Sequence, residues 1–432
     1  MRQYKDSGIE WIGKIPDTWD IKRLKEIFVE RNNRDAKGKT LLSVSQYYGI
    51  KPKAETDIAD SHVAESYDDY KVVEKGDFVM NIMLAWNGSY AVSDYEGIVS
   101  PAYCVYQFRK ECCHKYLHYL LRTDGYQTAF KTMSRGIIDS RLRLYPEQFY
   151  TFNTIFPPVS EQQRIADYLD EKCGEIDTLI ALQEQMIEKL KAYKQSFITE
   201  AVTKGLNPNA KLVPSGIEWI EEIPEGWTIK PFKELFRTGK GLSFTKADLV
   251  KEGVPVISYG QVHSKQNTGT SIIDELIRYV PEEIAKTGLS SKVNVGDFIF
   301  ADTSEDLSGC GNCVYVDKEV GLYAGYHSVI AFSKRHLSNL YLAYLFLTDC
   351  WRSQIRSRVS GIKVFSISQS IINQTSIMLP PEDEQQSITA YLDEKCADID
   401  RLIDLKRQKI EKLKYYKKGV IYEAVTGKTI IE

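Results

Sequence analysis

The sequence predicts an α+β protein in which two tandem domains are joined by two long helices that form an antiparallel coiled coil, with internal pseudo-two-fold symmetry. Three observations predict this architecture. The phrase SGIEWI occurs at Ser7–Ile12 and again at Ser215–Ile220. Two segments with a heptad pattern begin near Glu161 and Glu384. Strand-like and helix-like segments follow one another between these landmarks, which is typical of an α+β fold. The predicted strands are Leu41–Val44, Phe78–Met80, Val254–Ile257, Phe298–Phe300 and Ser328–Phe332, and the predicted short helices lie around Tyr116–Leu121 and Leu340–Leu347.

The composition bounds the class of protein. The 432 residues suit two domains, and 43% apolar with 27% charged residues is typical of a soluble globular chain. The longest apolar run, Tyr341–Leu347, is too short to cross a bilayer. The polar N-terminus lacks the apolar core of a signal peptide, and eight cysteines without an export signal indicate reduced thiols. We therefore expect a cytoplasmic protein with no membrane partner.

The repeat is uneven along its length. Ser7–Phe28 and Ser215–Phe236 are closely similar, similarity then thins, and residues 161–203 agree with residues 384–426 at 28 of 43 positions. A repeat of about 220 residues indicates a duplicated domain, because solenoid units have only about 20–50 residues. Similar flanks favour two copies of one task, and dissimilar middles favour two different tasks of one kind. Uneven drift after a plain duplication is the alternative.

The similar C-terminal flank of each repeat predicts a long helix. Pro157-Pro158 precedes the first one, and Gly205 and Pro208 follow it. Apolar steps of three and four over about four heptads indicate a coiled-coil seam, and packing of each helix on its neighbouring domain is the alternative. The central seam residues are Ile176, Ile180, Ile187 and Leu190, with Ile399, Ile403, Ile410 and Leu413 in the second copy.

A basic stretch occupies the same place in each half. Arg109–Tyr145 carries eight basic and three acidic residues, and Lys334–Gln369 carries six basic residues and one acidic residue, so each has a net charge of +5 although the whole chain has −3. Such stretches attract phosphates. Arginine reads guanine, and asparagine or glutamine reads adenine. A merely solvated surface is the alternative for either stretch alone, but its recurrence in both halves favours double-stranded DNA.

The candidate DNA-contacting residues lie in these stretches and in two polar-aromatic segments. SRGIIDSRLR and RSRVSGIKVFS contain the basic candidates, whereas NIMLAWNGSY and SYGQVHS contain the others. An ordinary core position is the alternative for the tryptophan. The predicted contacts are Lys131, Ser134, Arg135, Arg141, Arg143, Trp86 and Asn87 in the first half, and Tyr259, Gln261, His263, Arg356, Arg358, Ser360 and Lys363 in the second.

No catalytic, cofactor or metal motif is evident in the sequence. Pro157-Pro158 lacks the preceding Asn or Asp of an adenine methyltransferase motif, and Thr426–Thr429 lacks the glycine that a phosphate-binding loop requires five positions before Gly427. Cys310 and Cys313 have a zinc-ligand spacing, but a structural zinc site needs four ligands. We therefore predict no catalytic residue, no cofactor and no metal.

Two patterns resemble the specificity (S) subunits of type I restriction-modification systems. They are GIEWIGKIPDTW, repeated mid-chain, and PPxxEQQxIxxYLDEK at the start of each long helix. The resemblance covers essentially the whole chain. It implies a first target-recognition domain at residues 1–158 and a second at 209–382, each reading half of a split DNA sequence. It also implies spacer and docking helices at 159–206 and 383–432.

The resemblance further implies the partners. Two adenine-N6 methyltransferase (M) subunits would dock on the helical regions, for which the eight seam residues above are the candidates, and restriction (R) subunits would join to cleave. The chain itself would be a non-catalytic subunit at the bacterial or archaeal nucleoid. The alternatives are a DNA-binding regulator that acts without methyltransferase partners, a nuclease with an unrecognised carboxylate site, and an interaction protein that uses only its coiled coil.

Overall fold

The computed structural model describes residues 2–34, 38–56, 67–138, 141–335 and 338–431. The chain forms two compact units, of which the first comprises Met1–Glu184 with Arg407–Glu432 and the second comprises Gln185–Lys406. Each long helix therefore contributes one half to each unit. Within the described ranges, no helix combines the length and the hydropathy that a bilayer crossing requires.

The first repeat contains short strands and helices that precede a helix of 46 residues. Its strands are β1 (Tyr4–Asp6), β2 (Lys14–Pro16), β3 (Asp20–Arg23), β4 (Phe28–Arg31), β5 (Leu42–Ser45), β6 (Gly49–Pro52), β7 (Lys71–Val73), β8 (Phe78–Asn81), β9 (Tyr90–Val92), β10 (Gly97–Val99), β11 (Tyr103–Phe108) and β12 (Asn153–Phe156). Its helices are α1 (Leu24–Ile27), α2 (His114–Leu121), α3 (Asp124–Met133), α4 (Pro146–Phe149) and α5 (Val159–Lys204).

Among the described residues, the second repeat has the same plan with one more strand and two more helices. Its strands are β13 (Leu212–Ile217), β14 (Ile220–Pro224), β15 (Thr228–Pro231), β16 (Phe236–Lys240), β17 (Val254–Ile257), β18 (Arg278–Val280), β19 (Phe298–Ala301), β20 (Thr303–Ser304), β21 (Cys313–Tyr315), β22 (Tyr323–Ala324), β23 (Ser328–Ser333), β24 (Phe365–Ser366) and β25 (Ser376–Leu379). Its helices are α6 (Phe232–Leu235), α7 (Tyr259–Val262), α8 (Glu282–Thr287), α9 (Leu340–Phe346), α10 (Asp349–Arg356), α11 (Gln369–Asn373) and α12 (Glu382–Val425).

A four-stranded antiparallel sheet organises the core of each unit. The strand order is β4-β11-β8-β9 in the first unit and β16-β23-β19-β21 in the second. In the first unit, Phe78 of the sheet stacks on Phe149 with ring centroids 5.7 Å apart. In the second, Phe346 of α9 packs against Trp351 of α10 at 4.1 Å. Aromatic side chains of this size bury most apolar area per residue, so they stabilise each sheet against its helices.

The similar segment at the head of each repeat forms a hairpin. SGIEWI connects β1 to β2, where Ser7, Ile9 and Ile12 are buried. In the second unit, β13 pairs with β14 around the same six residues, and Ser215 and Ile220 are buried. The serine hydroxyl accepts a hydrogen bond from the backbone N–H two residues later in both copies, at 3.1 Å and 2.9 Å. The repeated phrase is therefore a structural turn with buried isoleucines.

A buried aspartate holds the turn before a central strand in each unit. Oδ2 of Asp77 accepts a hydrogen bond from the Glu74 N–H at 2.9 Å, and Oδ2 of Asp297 accepts one from the Asn294 N–H at 2.8 Å. Burial raises the pKa of both carboxyl groups above their usual value. The Gly-Asp-Phe sequence shared by the two repeats is therefore explained by turn geometry.

The long helices run antiparallel within each unit. In the second unit, Lys194 of α5 contacts Asp400 of α12, and Phe197, one turn later, packs on Tyr391 at a centroid distance of 5.2 Å. In the first unit, Lys417 of α12 contacts Asp177 of α5. The ends of the helices enter the domain cores instead, as Leu169 and Leu392 do. The predicted fold class is confirmed, and both packing alternatives apply to different parts of each helix.

Candidate nucleic-acid interface

The first basic stretch ends in a hairpin, here called basic hairpin 1, of which residues 134–138 and 141–143 are described. Arg135 and Arg143 exchange two backbone hydrogen bonds of 2.9 Å across its base. The side chains of Arg135 and Arg141 are exposed, whereas those of Ser134 and Arg143 are half-buried. The hairpin therefore presents at least two free guanidinium-bearing side chains to solvent.

Trp86 and Lys131 lie together beside this hairpin. The Lys131 ammonium lies 5.1 Å from the centroid of the Trp86 ring, and the indole N–H donates to the Met83 carbonyl at 3.1 Å. The Leu144 N–H, which follows the hairpin, donates to the Ile82 carbonyl at 3.0 Å. Asn87 accepts a hydrogen bond from Ser89 at 2.8 Å. Four of the predicted contacts in the first half therefore share one neighbourhood: the half-buried Trp86 and Asn87, the exposed Lys131 and the exposed Arg135.

The second basic stretch contains the equivalent feature, basic hairpin 2, residues 358–366. The Ser366 N–H donates to the Ser360 carbonyl at 3.2 Å, and the side chains of Arg358, Ser360 and Lys363 are exposed. The Arg358 guanidinium hydrogen-bonds the Gln354 carbonyl at the end of α10. This hairpin is therefore also anchored at its base and open at its tip.

A cleft of about 940 Å³ opens next to basic hairpin 2. Its lining includes Tyr259, His263 and Arg356, three of the predicted contacts, together with Val364 of the hairpin. Clefts of this size with converging polar groups are the usual place of a binding site. The cleft therefore brings together three of the seven second-half candidates, from segments that lie about a hundred residues apart in the sequence.

Several of these predicted side chains already have partners within the unit. Both ring nitrogens of His263 are engaged, Nε2 with the Thr303 carbonyl at 2.8 Å and Nδ1 with the Asn312 amide at 3.1 Å. Gln261 uses its Oε1 to accept from the Ser258 N–H at 3.2 Å. The Arg356 guanidinium donates to Asp349 at 2.7 Å and to the Ser308 carbonyl at 3.0 Å. These hydrogen bonds hold the residues of the cleft wall in place. Tyr259 is half-buried and lies at the surface of the cleft.

The cleft also contains residues that the sequence did not single out. His327 has a φ of 54°, which a non-glycine residue rarely adopts, and its Nδ1 lies 3.3 Å from Oδ1 of Asp302. Its ring packs edge-on against Tyr259 at 5.5 Å. Strained backbone often marks functional positions. The polar turn Gly-Tyr-His before the buried strand β23 was the available signal.

Two arginines in the basic stretches are half-buried and hydrogen-bond backbone carbonyls. Arg122 donates to the carbonyls of Tyr90 at 2.5 Å and Gln46 at 2.6 Å, and Arg352 donates through Nε to the Phe346 carbonyl at 2.7 Å. Burial lowers the pKa of both guanidinium groups. The net charge of +5 for each stretch therefore overstates the charge that is available to phosphates, because sequence counts ignore arginines that satisfy buried carbonyls.

The eight seam residues predicted for docking lie inside the helix pair. Ile176, Ile187, Ile399, Ile403 and Ile410 are buried, and Ile180, Leu190 and Leu413 are partly buried. Their position leaves little side-chain surface for another subunit. Exposed apolar residues instead lie on another face of each helix, here called the outer stripe: Leu179 and Leu182 on α5, and Leu402 and Leu405 on α12.

Cys310 and Cys313 are buried in the core of the second unit. Burial raises the pKa of the Cys313 thiol to about 12. Among the residues that the structure describes, no three His, Cys, Asp or Glu side chains are placed to share a metal ion. Cys173 and Cys396 occupy equivalent buried seam positions, where they act as small apolar side chains.

Comparisons with known proteins agree on one family. The model of the family described as "Type I restriction modification DNA specificity domain" matches residues 16–192 and 224–415. The type I restriction enzyme MjaVIII specificity subunit of Methanocaldococcus jannaschii is 23% identical over 444 residues, which cover 99% of this chain and 97% of that protein. The EcoKI specificity subunit of Escherichia coli is 22% identical over 211 residues, 48% of this chain and 44% of that one.

Solved structures show the same fold. A chain from a study of complex assembly and conformational transition in the type I R-M system aligns with a TM-score of 0.69 at 18% identity, covering 96% of this chain and 99% of that one. The HsdS subunit from Thermoanaerobacter tengcongensis aligns with a TM-score of 0.50 at 16% identity, covering 96% and 98%. The resemblance seen in the sequence is confirmed: the chain belongs to the family of type I restriction-modification DNA specificity subunits.

Proposed function

We propose that this chain recognises a bipartite, asymmetric DNA sequence and scaffolds two adenine-N6 methyltransferase subunits together with restriction subunits, without catalysing a reaction itself. The observation that carries this proposal is the contrast within each repeat. An equivalent tryptophan–glutamate hydrogen bond joins the domain to the long helix in both units, Trp19 to Glu161 and Trp227 to Glu384. The surfaces around the two basic hairpins differ.

The differing surfaces support two different half-sites. In the first unit, Trp86 and Lys131 lie beside basic hairpin 1. In the second, a cleft with Tyr259 and His327 lies beside basic hairpin 2. Phosphate contacts by exposed lysine and arginine position a protein on the duplex, and contacts to base edges specify the sequence. Different side chains at equivalent places on one scaffold would therefore read different bases.

The outer stripes support two equivalent partner subunits. Leu179 and Leu182 of α5 are three residues apart and 44% and 45% exposed. Leu402 and Leu405 of α12 have the same spacing and a similar exposure of 47% and 54%. Exposed apolar rows of this kind mark protein–protein contact sites. We infer that one methyltransferase subunit binds each stripe, while the seam residues hold the two helices together.

Two measurements test the function. Native mass spectrometry of the complex purified with its methyltransferase is expected to give two methyltransferase subunits per chain. Sequencing of methylated adenines in a host genome, with and without this gene, is expected to show a site in two parts separated by a constant number of unread base pairs. One methyltransferase per chain, or a contiguous site, contradicts the proposal, and tight specific binding without any methyltransferase complex favours a stand-alone regulator.

A pair of variants tests the outer stripes. Leu179→Ser with Leu182→Ser is expected to remove one methyltransferase subunit, and Leu402→Ser with Leu405→Ser the other, as the mass of the complex would show. The matched control is Glu188→Ser with Lys191→Ser, an exposed ion pair on α5 with an N···O distance of 2.7 Å. This control is expected to retain both subunits. Retention of both subunits by the two leucine variants would exclude the stripes as docking sites.

A further inference from the structure

The two basic hairpins share only a Gly-Ile pair. Gly136-Ile137 and Gly361-Ile362 stand at equivalent places in otherwise dissimilar sequences. The glycines have φ values of 155° and 148°. A Cβ on Gly136 would lie 2.5 Å from the Arg141 carbonyl oxygen, and one on Gly361 would lie 2.1 Å from that of Val364. Closure of each hairpin therefore accounts for the glycines.

Hairpin closure does not account for the isoleucines. The side chain of Ile137 is 100% exposed and that of Ile362 is 99% exposed, the largest values among the large hydrophobic residues that the structure describes. The adjacent apolar residues Ile138 and Val364 are also exposed, at 54% and 51%. A side chain that remains fully exposed to water after folding contributes no hydrophobic stabilisation. The stability of neither unit explains why both hairpins end in isoleucine.

The surroundings of the isoleucines indicate a polyanionic partner. Arg135 and Arg141 are exposed on either side of Ile137, and Lys363 is exposed next to Ile362. Cations that flank a single apolar side chain are complementary to the phosphates on both sides of a DNA groove. Proteins that bend DNA use isoleucine, leucine or methionine in this way, as wedges between base steps.

We propose that Ile137 and Ile362 are wedges that enter a groove of the bound duplex, one in each half-site, and pack between neighbouring bases. The inference rests on the proposed DNA-recognition function and adds a mode of contact to it. A wedge depends on the apolar faces of the bases and not on their hydrogen-bonding edges, so it is tolerant of sequence. This tolerance explains why the pair is the same in two hairpins whose other residues differ.

The test uses the complex of the full-length chain with its methyltransferase and a duplex carrying the mapped bipartite site, with 2-aminopurine at successive steps of each half-site. Besides the rise at the adenine that the methyltransferase flips out of the stack, wild type is expected to raise the fluorescence at one further step per half-site, because insertion unstacks the bases. Ile137→Ala is expected to abolish the rise in one half-site and Ile362→Ala in the other. The double variant should bind about tenfold or more weakly, since it loses two buried apolar side chains.

Controls separate the wedge from other roles. The Ile137→Leu and Ile362→Leu variants are expected to restore both fluorescence and affinity. The slope of log affinity against log salt should stay unchanged in the alanine variants, because the same phosphates are still neutralised. Unchanged fluorescence and affinity in the alanine variants would contradict the wedge and leave the proposed function standing. The same holds if the alanine variants fail to bind the methyltransferase in the absence of DNA. Failure of wild type to bind the mapped duplex overturns the proposed function and the wedge together.

Discussion

The indole N–H of Trp19 donates a hydrogen bond to Oε2 of Glu161 at 2.9 Å, and Trp227 donates the same bond to Glu384 at 3.0 Å. Each bond joins the similar segment at the head of a repeat to the first turn of the following long helix. The two similar flanks are therefore in contact with each other. The sequence similarity of the flanks therefore has two explanations: this shared junction, and the proposed equivalent binding sites for two partner subunits.

Replacement of the junction tryptophan tests this cause. Trp227 is 7% exposed, so Trp227→Phe removes a hydrogen bond to a carboxylate and leaves a small void. We expect the free energy of unfolding of the second unit to fall by about 1.5–3 kcal/mol. Trp219→Phe is the matched control because Trp219 is 41% exposed, and its effect should stay within about 0.5 kcal/mol. Equal melting curves for the two variants would refute a stabilising junction.

Two adjacent residues on α12 allow the buried seam and the exposed outer surface of the helix to be tested separately. Ile403 is 5% exposed in the seam, and Leu402 is 47% exposed beside it. Ile403→Ala is expected to lower the free energy of unfolding by about 2–5 kcal/mol, the usual cost of truncating a buried isoleucine. Leu402→Ala should change it by no more than about 0.5 kcal/mol. Denaturant titration of the isolated chain measures both, and similar losses for the two residues would argue against this seam.

His118 on α2 makes the first unit sensitive to acid. Burial, followed by the nearby Arg122, lowers its pKa to about 3, and its Nδ1 accepts a hydrogen bond from the Val92 N–H at 3.3 Å. The unfolded chain takes up this proton near pH 6.5. Stability is therefore complete above pH 6.5 and falls as the pH decreases towards 3, by up to about 1.4 kcal/mol per pH unit. Urea titrations at successive pH values measure this decline.

The variant His118→Asn removes the titrating group and keeps an acceptor. We expect a flatter decline between pH 6.5 and pH 3. Asp77 in the same unit has a raised pKa and so acts in the opposite direction, but it is common to wild type and variant. Gln127→Asn, which loses a hydrogen bond to the Arg122 carbonyl, is the control and should lower stability without changing its pH dependence. An unchanged slope in His118→Asn would contradict the assignment.

The guanidinium groups of basic hairpin 1 are expected to contact phosphates or bases of one half-site. Arg141→Ala with Arg143→Ala should weaken recognition of that half-site and reduce the salt slope by about 0.9 for each phosphate that is no longer neutralised. Binding titrations over a range of salt concentrations measure this change. Lys286→Ala, on the exposed face of α8, is the control and should leave both quantities unchanged. Normal methylation of the half-site in the arginine variant would count against the hairpin.

The length of the long helices is expected to set the number of unread base pairs. Insertion of seven residues at the same place in both helices keeps the phase of the seam and adds about 10 Å. The tolerated spacer should then lengthen by about three base pairs. Methylation of a library of spacer lengths measures this. An insertion of four residues shifts the seam and is expected to lower stability, and a constant spacer after the seven-residue insertion would refute the relationship.

Much of the fold could be predicted because its signals are local. The expected strands at Leu41–Val44, Phe78–Met80 and Val254–Ile257 correspond to β5, β8 and β17, and the two expected at Phe298–Phe300 and Ser328–Phe332 correspond to β19 and β23. The heptad pattern predicted both long helices, α5 and α12, and the structure contains them. The short strands at sheet edges were missed, since two or three residues carry no periodic pattern.

The site was less predictable because it depends on pairing across the chain. A count of basic residues could not distinguish Arg122, which satisfies backbone carbonyls, from Arg141, which is exposed. The positive φ of His327 could not be predicted from its Gly-Tyr-His turn, because the sequence does not show which segments pack around that turn. The outer stripe was hidden for a related reason: both rows of apolar residues on α5 have helical spacing, and only the partner helix decides which row is covered.

Both basic hairpins are fixed by backbone hydrogen bonds at their bases, whereas their tip side chains stand clear of either core. Apart from Gly136 and Gly361, where a Cβ would collide with the hairpin backbone, substitutions at these tips therefore carry almost no folding penalty. At exposed positions other than the Gly-Ile pair, a lineage can exchange side chains rapidly under selection for new targets without prior gains in stability. A library randomised only at those positions should consist almost entirely of folded proteins. The same freedom makes these loops the natural place to begin engineering an altered target preference.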